Sequence, residues 1–156
     1  MMNTPDLQLS EHFRLIEFVR SQTADRLDVD NTPPLWIIER LRFNAGQMEG
    51  VRFELGDNRI DISSGFRCLA LNRAIGSKDH SAHVRGDAAD FTCDEYGTPR
   101  EICENLMASD TPFDQLIWEH TWVHIGWARA GETPRRQVLT LLRNKRYGNG
   151  IIDEEK

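Results

Sequence analysis

Residues 81–90 have the sequence SAHVRGDAAD, which places His83 seven residues before Asp90. A second histidine, His124, follows in the segment WVHIGW at 122–127. Two imidazoles and one carboxylate are the ligand set of a catalytic zinc, because three protein donors leave a fourth position open for water. Small residues and a glycine surround the first pair, which favours a binding loop. These three side chains are the predicted ligands of one zinc ion per chain.

Two neighbouring side chains compete for the same roles. His80 lies three residues before His83 and could replace it, but we favour an exposed loop residue or an auxiliary group. Asp87 is the competing carboxylate, and a charge in a surface loop is the favoured interpretation for it. Gly86 can relax the backbone so that His83 and Asp90 converge.

The third predicted ligand lies on a predicted strand. Alternation along a strand sends neighbouring side chains to opposite faces, so His124 shares a face with Trp122 and Gly126. One face of the strand would pack in the core, and the other would place the imidazole in a cleft beside an aromatic wall.

A zinc hydrolase also needs a base and a cation that stabilises developing negative charge. Glu119, at the end of the preceding predicted strand, is the candidate base, and His120 is the second candidate. Arg67 follows a strand and a glycine in the segment SGFR at 64–67, so its guanidinium could point into the same cleft. There its planar fork could hold a substrate carboxylate or carbonyl.

Periodicity and turn signals predict an α+β fold with a small, mostly antiparallel sheet and flanking helices. Thr98 and Glu101 form a capping box with Pro99 at the first helical position. Helices are predicted at 10–27 (one or two), 35–50, 69–75 and 99–107. Strands are predicted at 59–63, 87–92, 113–118, 122–128 and 137–142. We expect one domain over 1–156, with a core at about 9–142 and a frayed tail at about 145–156.

Composition excludes several classes of protein. A net charge of -6 over 156 residues argues against a general nucleic-acid binder. No apolar run is long enough to span a bilayer, and the first residues lack the regions of a secretory signal, so synthesis in the cytosol without membrane insertion is expected. Three cysteines predict reduced thiols rather than a disulfide framework, with Cys93 and Cys103 as small buried side chains. Arginines at 135, 136, 143 and 146 are interpreted as a solvated face.

These motifs together resemble the zinc D-Ala-D-Ala carboxypeptidase-like peptidases, a group that cuts peptidoglycan and shares its fold with the Hedgehog signalling domain. The family pattern S-x-H-x-x-G-x-A-x-D is matched at 81–90, S-G-[YF]-R at 64–67 and W-V-H at 122–124. The resemblance extends from about Leu9 to about Leu142. The segments 9–13 and 30–34 are similar to a phage-associated branch of the family.

The resemblance implies that His83, Asp90 and His124 bind zinc and that Arg67 positions the substrate, with Ser81 and Trp122 as further substrate contacts. Many members carry the catalytic glutamate three residues before the last histidine, where this chain has Thr121. Glu119 lies five residues before that histidine, an arrangement similar to the phage-associated branch.

The resulting expectation is a monomeric zinc peptidase that acts on peptidoglycan stem peptides or cross-links after release from the cytoplasm, as a phage or prophage endolysin. The sequence does not decide between two kinds of target bond. One is the D-Ala-D-Ala bond or the D-Ala cross-link, and the other is the L-Ala-D-Glu bond. A zinc-stabilised phage protein without enzymatic activity and a cytosolic dipeptidase are the competing expectations.

Overall fold

A computed structural model describes residues 5–155 of the chain. Within that range the backbone forms five α-helices, one 3-10 helix at Ala82–Arg85 and six strands. The helices are α1 (Leu15–Val19), α2 (Gln22–Leu27), α3 (Leu35–Glu54), α4 (Leu69–Ala74) and α5 (Pro99–Ala108). The strands are β1 (Asp61–Ser64), β2 (Ala88–Thr92), β3 (Gln115–Trp118), β4 (Val123–Gly126), β5 (Gln137–Leu141) and β6 (Tyr147–Asn149).

The six strands form one sheet in the order β1-β2-β4-β3-β5-β6. Strand β3 pairs with β4 in antiparallel orientation and with β5 in parallel orientation. Strand β6 is antiparallel to β5. The mostly antiparallel sheet confirms the predicted α+β class.

The described residues divide into two compact units, one containing the chain up to Glu49 together with Ile62–Ala89. The long helix α3 begins directly after Pro33 and Pro34, as predicted. Its buried side chains recur at steps of three and four, which is the spacing of one helix face. They are Ile37, Leu41, Asn44, Ala45, Met48 and Val51.

Two helix ends have a clear local cause. Gly76 follows α4 with a φ of +80°, a left-handed conformation that glycine adopts without a steric penalty. At α5 the Thr98 hydroxyl accepts a hydrogen bond from the Glu101 amide, and the Glu101 carboxylate accepts one from the Thr98 amide. The α5 helix therefore begins at Pro99, as the capping box indicates.

The other unit contains Gly50–Asp61 and the chain from Asp90 onward. The prediction of a frayed C-terminal tail is wrong here, because residues 147–149 form β6. Leu142 and Arg146 close the turn before it, with the Arg146 carbonyl accepting the Leu142 amide at 2.8 Å. Asp153 then binds the Arg100 guanidinium at 2.5 Å, which ties the last described residues to α5.

The C-terminal arginines are exposed, but they are not simply a solvated face. Arg135 forms a bidentate ion pair with Asp114. Arg136 donates to the carbonyls of Ser109 and Thr111, and its guanidinium carbon lies 4.3 Å from the centre of the Phe113 ring. These arginines therefore fasten the segment before β5.

The three cysteines are free thiols, and Cys93 and Cys103 are buried as predicted. Burial raises the pKa of the Cys103 thiol to about 12. Among the described residues, no helix combines the length and apolar character that crossing a membrane requires.

Candidate metal centre

The structure brings together His83, Asp90 and His124, the three side chains predicted as metal ligands. Each offers one ligand atom, and these atoms all lie within 4.8 Å of one another. The three residues are only 2%, 9% and 8% exposed, respectively. Burial of two imidazoles and a carboxylate at this separation is costly unless they pair or share a cation.

His83 is held by its ring and by its backbone. Its Nδ1 lies 2.6 Å from the Gly65 carbonyl oxygen, and because a carbonyl only accepts, Nδ1 is the nitrogen that donates. The His83 carbonyl in turn accepts the Arg67 amide at 3.1 Å. A histidine that donates one ring nitrogen to a carbonyl is the usual support of a metal ligand, and the ligand atom would then be Nε2.

Gly65 can bring its carbonyl to this position only because it has no side chain. A Cβ atom there would lie 2.7 Å from the Phe18 carbonyl oxygen and 2.8 Å from the Phe18 Cα. Buried Asn31 secures the same segment by donating to the carbonyls of Val19 and Phe66 and accepting the Cys68 amide. The glycine of the SGFR motif is thus required for close packing against α1.

Helix α3 holds the backbone that connects the two ligands of the 81–90 motif. Asn44 is fully buried and donates to the carbonyls of Gly86 and Ala88 at 3.1 and 2.9 Å. Gly86 has a φ of +72° and packs against α3, where a Cβ would lie 3.4 Å from the Arg40 Cβ. A residue with a side chain would be strained in this left-handed turn.

The interpretation of Asp87 as a surface charge is wrong. Asp87 is 2% exposed and forms ion pairs with Arg40 of α3 and with Arg85. A buried carboxylate needs such partners, since an isolated charge loses its hydration. Asp87 therefore fastens the motif to α3 and lies outside the metal-binding group found among the described residues.

Asp90 and His124 lie on β2 and β4, and the Asp90 Oδ1 is 2.9 Å from the His124 Nδ1. His80, the competing histidine, is exposed, and its carbonyl accepts a hydrogen bond from Arg85. Of the two candidates, the structure therefore places His83, not His80, with the other predicted ligands.

The candidate base Glu119 lies where β3 turns into β4. Ile117 pairs with His124 across the two strands, and the Glu119 amide donates to the Trp122 carbonyl at 3.1 Å. Directly opposed residues share a face of the sheet, as do residues two apart in one strand. Glu119, Trp122 and His124 are therefore on one face, while Thr121 is at the exposed tip of the turn.

His120, the second candidate base, has a different position. It adopts a φ of +63°, and its Nε2 donates to the Leu141 carbonyl at 2.6 Å. Its ring lies 4.6 Å from the Trp118 ring, and Trp118 is on the opposite face from Glu119 by alternation. This arrangement fastens the turn to β5 and favours Glu119 as the base.

Arg67 is half-buried and is oriented by α4. Its Nε donates to the Asn72 Oδ1 at 3.1 Å, while the Asn72 amide group donates to the Lys78 carbonyl at 2.8 Å. Asn72 is fully buried, so this contact fixes the plane of the guanidinium. Ser81 accepts the His83 amide at 3.3 Å and thus caps the short helix that carries His83.

Tyr147 was not predicted from the sequence as part of this site. Burial raises the pKa of its phenol, and the negative charges of Glu119 and Asp90 raise the pKa further. The sequence signal that was missed is Asn144, a residue type that favours turns, in the connection between β5 and β6 where Lys145 has a φ of +62°.

The sequence matches the peptidase M15 family over residues 11–126. The chain belongs to the peptidase M15 family. No curated protein matches the sequence at a significant level. The M15 match ends at the last residue of β4, so β5 and β6 lie beyond it.

Membership in M15 implies a metallopeptidase of the zinc D-Ala-D-Ala carboxypeptidase-like type, a family that depends on zinc. The residues present fit that metal, because zinc accepts imidazole nitrogens and carboxylate oxygens and its catalytic sites use three protein ligands. The support of His83 Nδ1 by a carbonyl is a second feature that fits a metal site.

Proposed function

We propose that this M15 chain is a single-domain, monomeric zinc peptidase that hydrolyses peptidoglycan stem peptides or cross-links, of the D-Ala-D-Ala carboxypeptidase or endopeptidase type. We further propose that it is a phage or prophage endolysin, made in the cytoplasm and acting on the cell wall after release. The observation that carries the proposal is the buried group of His83, Asp90 and His124, with Glu119 on the sheet face of His124.

His83, Asp90 and His124 would hold one zinc ion. When bound, zinc supplies a Lewis acid that polarises a carbonyl and lowers the pKa of water. In this proposal Glu119 accepts the proton of the attacking water and delivers it to the leaving amine. This proposal is supported by the position of Glu119 at a strand end, in a tight turn at 119–122 that its backbone hydrogen bonds close.

Arg67 would bind the negative charge of the substrate. The guanidinium is a planar donor fork that matches a carboxylate or a developing oxyanion. Asn72 and Ser64 accept hydrogen bonds from the guanidinium, from Nε at 3.1 Å and from Nη1 at 3.4 Å, and these contacts fix its direction. Trp122 is 37% exposed and shares the face of His124, which supports its role as a substrate contact.

The decisive experiment incubates zinc-loaded protein with purified sacculi and identifies the released fragments by mass spectrometry. Release of D-Ala, or cleavage of D-Ala cross-links, is the expected result, with one zinc bound per chain. Fragments ending at L-Ala would instead assign the L-Ala-D-Glu bond. Bound zinc with no released peptide would support a non-enzymatic phage protein, and activity on D-Ala-D-Ala alone would support a dipeptidase.

Matched variants test the residue roles in that assay. Glu119→Gln should keep the zinc and lose at least about 10²-fold in turnover, because glutamine cannot accept a proton. Glu95→Gln, in the exposed turn after β2, is the control and should keep wild-type turnover. His124→Ala should lose zinc and activity together, whereas His80→Ala should keep both. Near-wild-type turnover of Glu119→Gln would remove Glu119 from the mechanism.

A further inference from the structure

The strand register places Tyr147 on the sheet face that carries Glu119. Strand β3 runs parallel to β5 with Ile117 opposite Leu139, so the next residues on that face are Glu119 and Leu141. Leu141 pairs directly with Tyr147 on β6. Because directly opposed residues share a face, the phenol stands on the same side of the sheet as the candidate base.

The turn that carries Glu119 and the strand that carries Tyr147 share an anchor. The Leu141 carbonyl accepts the hydrogen bond from the His120 Nε2, while Leu141 itself is the partner of Tyr147 in the ladder. Just after the C-terminal end of β6, the Gly150 carbonyl accepts a hydrogen bond from the Thr140 hydroxyl at 2.7 Å. The backbone of Tyr147 is thus fixed at both ends relative to the turn at 119–122.

The phenol is available to a ligand and retains its proton. Tyr147 is 53% exposed, so part of its side chain is open to solvent. Burial of the remaining part, together with the charges of Glu119 and Asp90, raises the pKa of the phenol above its ordinary value. At neutral pH the group is therefore a neutral hydrogen-bond donor on the sheet face that carries Glu119.

We propose that Tyr147 is a further substrate-binding residue, whose phenol donates a hydrogen bond to a carbonyl or carboxylate oxygen of the peptide beside the scissile bond. This inference rests on the proposed peptidase function. An oxygen acceptor that approaches Glu119 is repelled by its charge, and a neutral donor offsets that repulsion.

The distance across the sheet favours a binding role over a role at the reacting atoms. Strand β6 is three strands from β4 in the sheet, which corresponds to roughly 14 Å between strand axes at ordinary spacing. A tyrosine side chain spans only part of that distance. The phenol would therefore reach the flank of the substrate, from a strand that lies beyond the M15 match.

The test uses the zinc-loaded Glu119→Gln protein, which should bind peptide without cleaving it. The probe is a synthetic peptidoglycan stem pentapeptide ending in D-Ala-D-Ala, and binding is measured by calorimetry. Adding Tyr147→Phe should weaken binding about tenfold, the loss expected for one hydrogen bond. Adding Tyr96→Phe is the matched control, because Tyr96 is the other tyrosine and lies in the turn after β2.

The same substitution in the active enzyme gives an independent readout. Tyr147→Phe should raise KM about tenfold with kcat within about twofold, the signature of an interaction made equally in ground and transition states. Zinc content and Tm should match the wild type, since phenylalanine keeps the packing of the ring. A loss confined to kcat would contradict the binding role, and so would unchanged binding and KM.

Failure of this inference is distinguishable from failure of the proposed function. If the wild type cleaves sacculi and Glu119→Gln binds the pentapeptide, but Tyr147→Phe changes neither binding nor KM, only the assignment of Tyr147 is overturned. If the wild type cleaves nothing and Glu119→Gln binds no pentapeptide, the peptidase function is overturned and the role of Tyr147 with it.

Discussion

Replacing Asn31 tests whether the segment that supports His83 is held by a single buried amide. Asn31 is 3% exposed and makes three hydrogen bonds, at 2.8 Å to the Val19 carbonyl, 3.1 Å to the Phe66 carbonyl and 2.7 Å from the Cys68 amide. A buried hydrogen bond contributes about 1 kcal/mol, and groups left without a partner keep their desolvation penalty. Asn31→Ala should therefore lower the free energy of unfolding by about 3 kcal/mol.

The same variant should weaken zinc binding without altering any ligand. Phe66 follows Gly65, whose carbonyl orients the His83 ring, so relaxation of this segment misplaces the imidazole. Loss of such a support typically costs about 10–100-fold in metal affinity. For Asn31→Ala we expect the lower end of this range, a loss of about tenfold in zinc affinity, because Gly65 remains in place and only its anchor is removed.

Stability is measured by urea unfolding of the metal-free protein, since bound metal would add its own stabilisation. Zinc affinity is measured by competition with a chelator. Asn58→Ala is the control: its side chain gives one hydrogen bond to the Leu55 carbonyl at 2.9 Å, is half-buried, and should cost about 1 kcal/mol without affecting zinc. A stability loss below about 1 kcal/mol, or unchanged zinc affinity in the Asn31 variant, would refute the reasoning.

Two further predictions concern Arg67 and Cys103. Arg67→Lys should keep zinc and fold but lose at least about tenfold in kcat/KM, because lysine lacks the planar fork that Asn72 orients; unchanged kinetics would remove Arg67 from the site. The pKa of Cys103 is raised from 9.0 to about 12, so its stabilising contribution is complete below pH 9 and is lost as pH rises through 12. Wild-type stability should therefore fall by up to about 4 kcal/mol over that range, and an equally steep fall in Cys103→Ala would contradict this.

The chemistry-bearing residues could be predicted from the sequence, but most of their supports could not. The spacing of His83, Asp90 and His124 is a weak signal alone, but the small residues around the first pair and the three motifs in order single these residues out before any fold is known. The Asn44 side chain donates hydrogen bonds to backbone carbonyls 42 and 44 residues away, and the Asn72 side chain accepts one from Arg67. Asparagine occurs in turns, caps and surfaces alike, and nothing in local periodicity marks the buried ones.

Two errors of prediction have the same physical origin. Asp87 is in a short connection rich in polar residues, which favours exposure, but Arg40 lies 47 residues earlier in the sequence and covers it from α3. The sequence YGN at 147–149 lacks the alternation of a strand, and only its pairing with β5 makes it one. In both cases an interaction with a residue or strand outside the local sequence segment determines the structure of that segment.

Part of the candidate site could therefore be predicted from the sequence, and the other part depends on the fold. The predicted ligands and the candidate base fall within the M15 match, whereas Tyr147 lies after that match and shares their sheet face only through the order of β3, β5 and β6. Since directly opposed residues must share a face, a shift of β6 by one residue would turn the phenol to the opposite side of the sheet. The Thr140 hydroxyl bond to the Gly150 carbonyl opposes such a shift. The C-terminal hairpin is thus the segment in which we expect the substrate preference of this chain to be set.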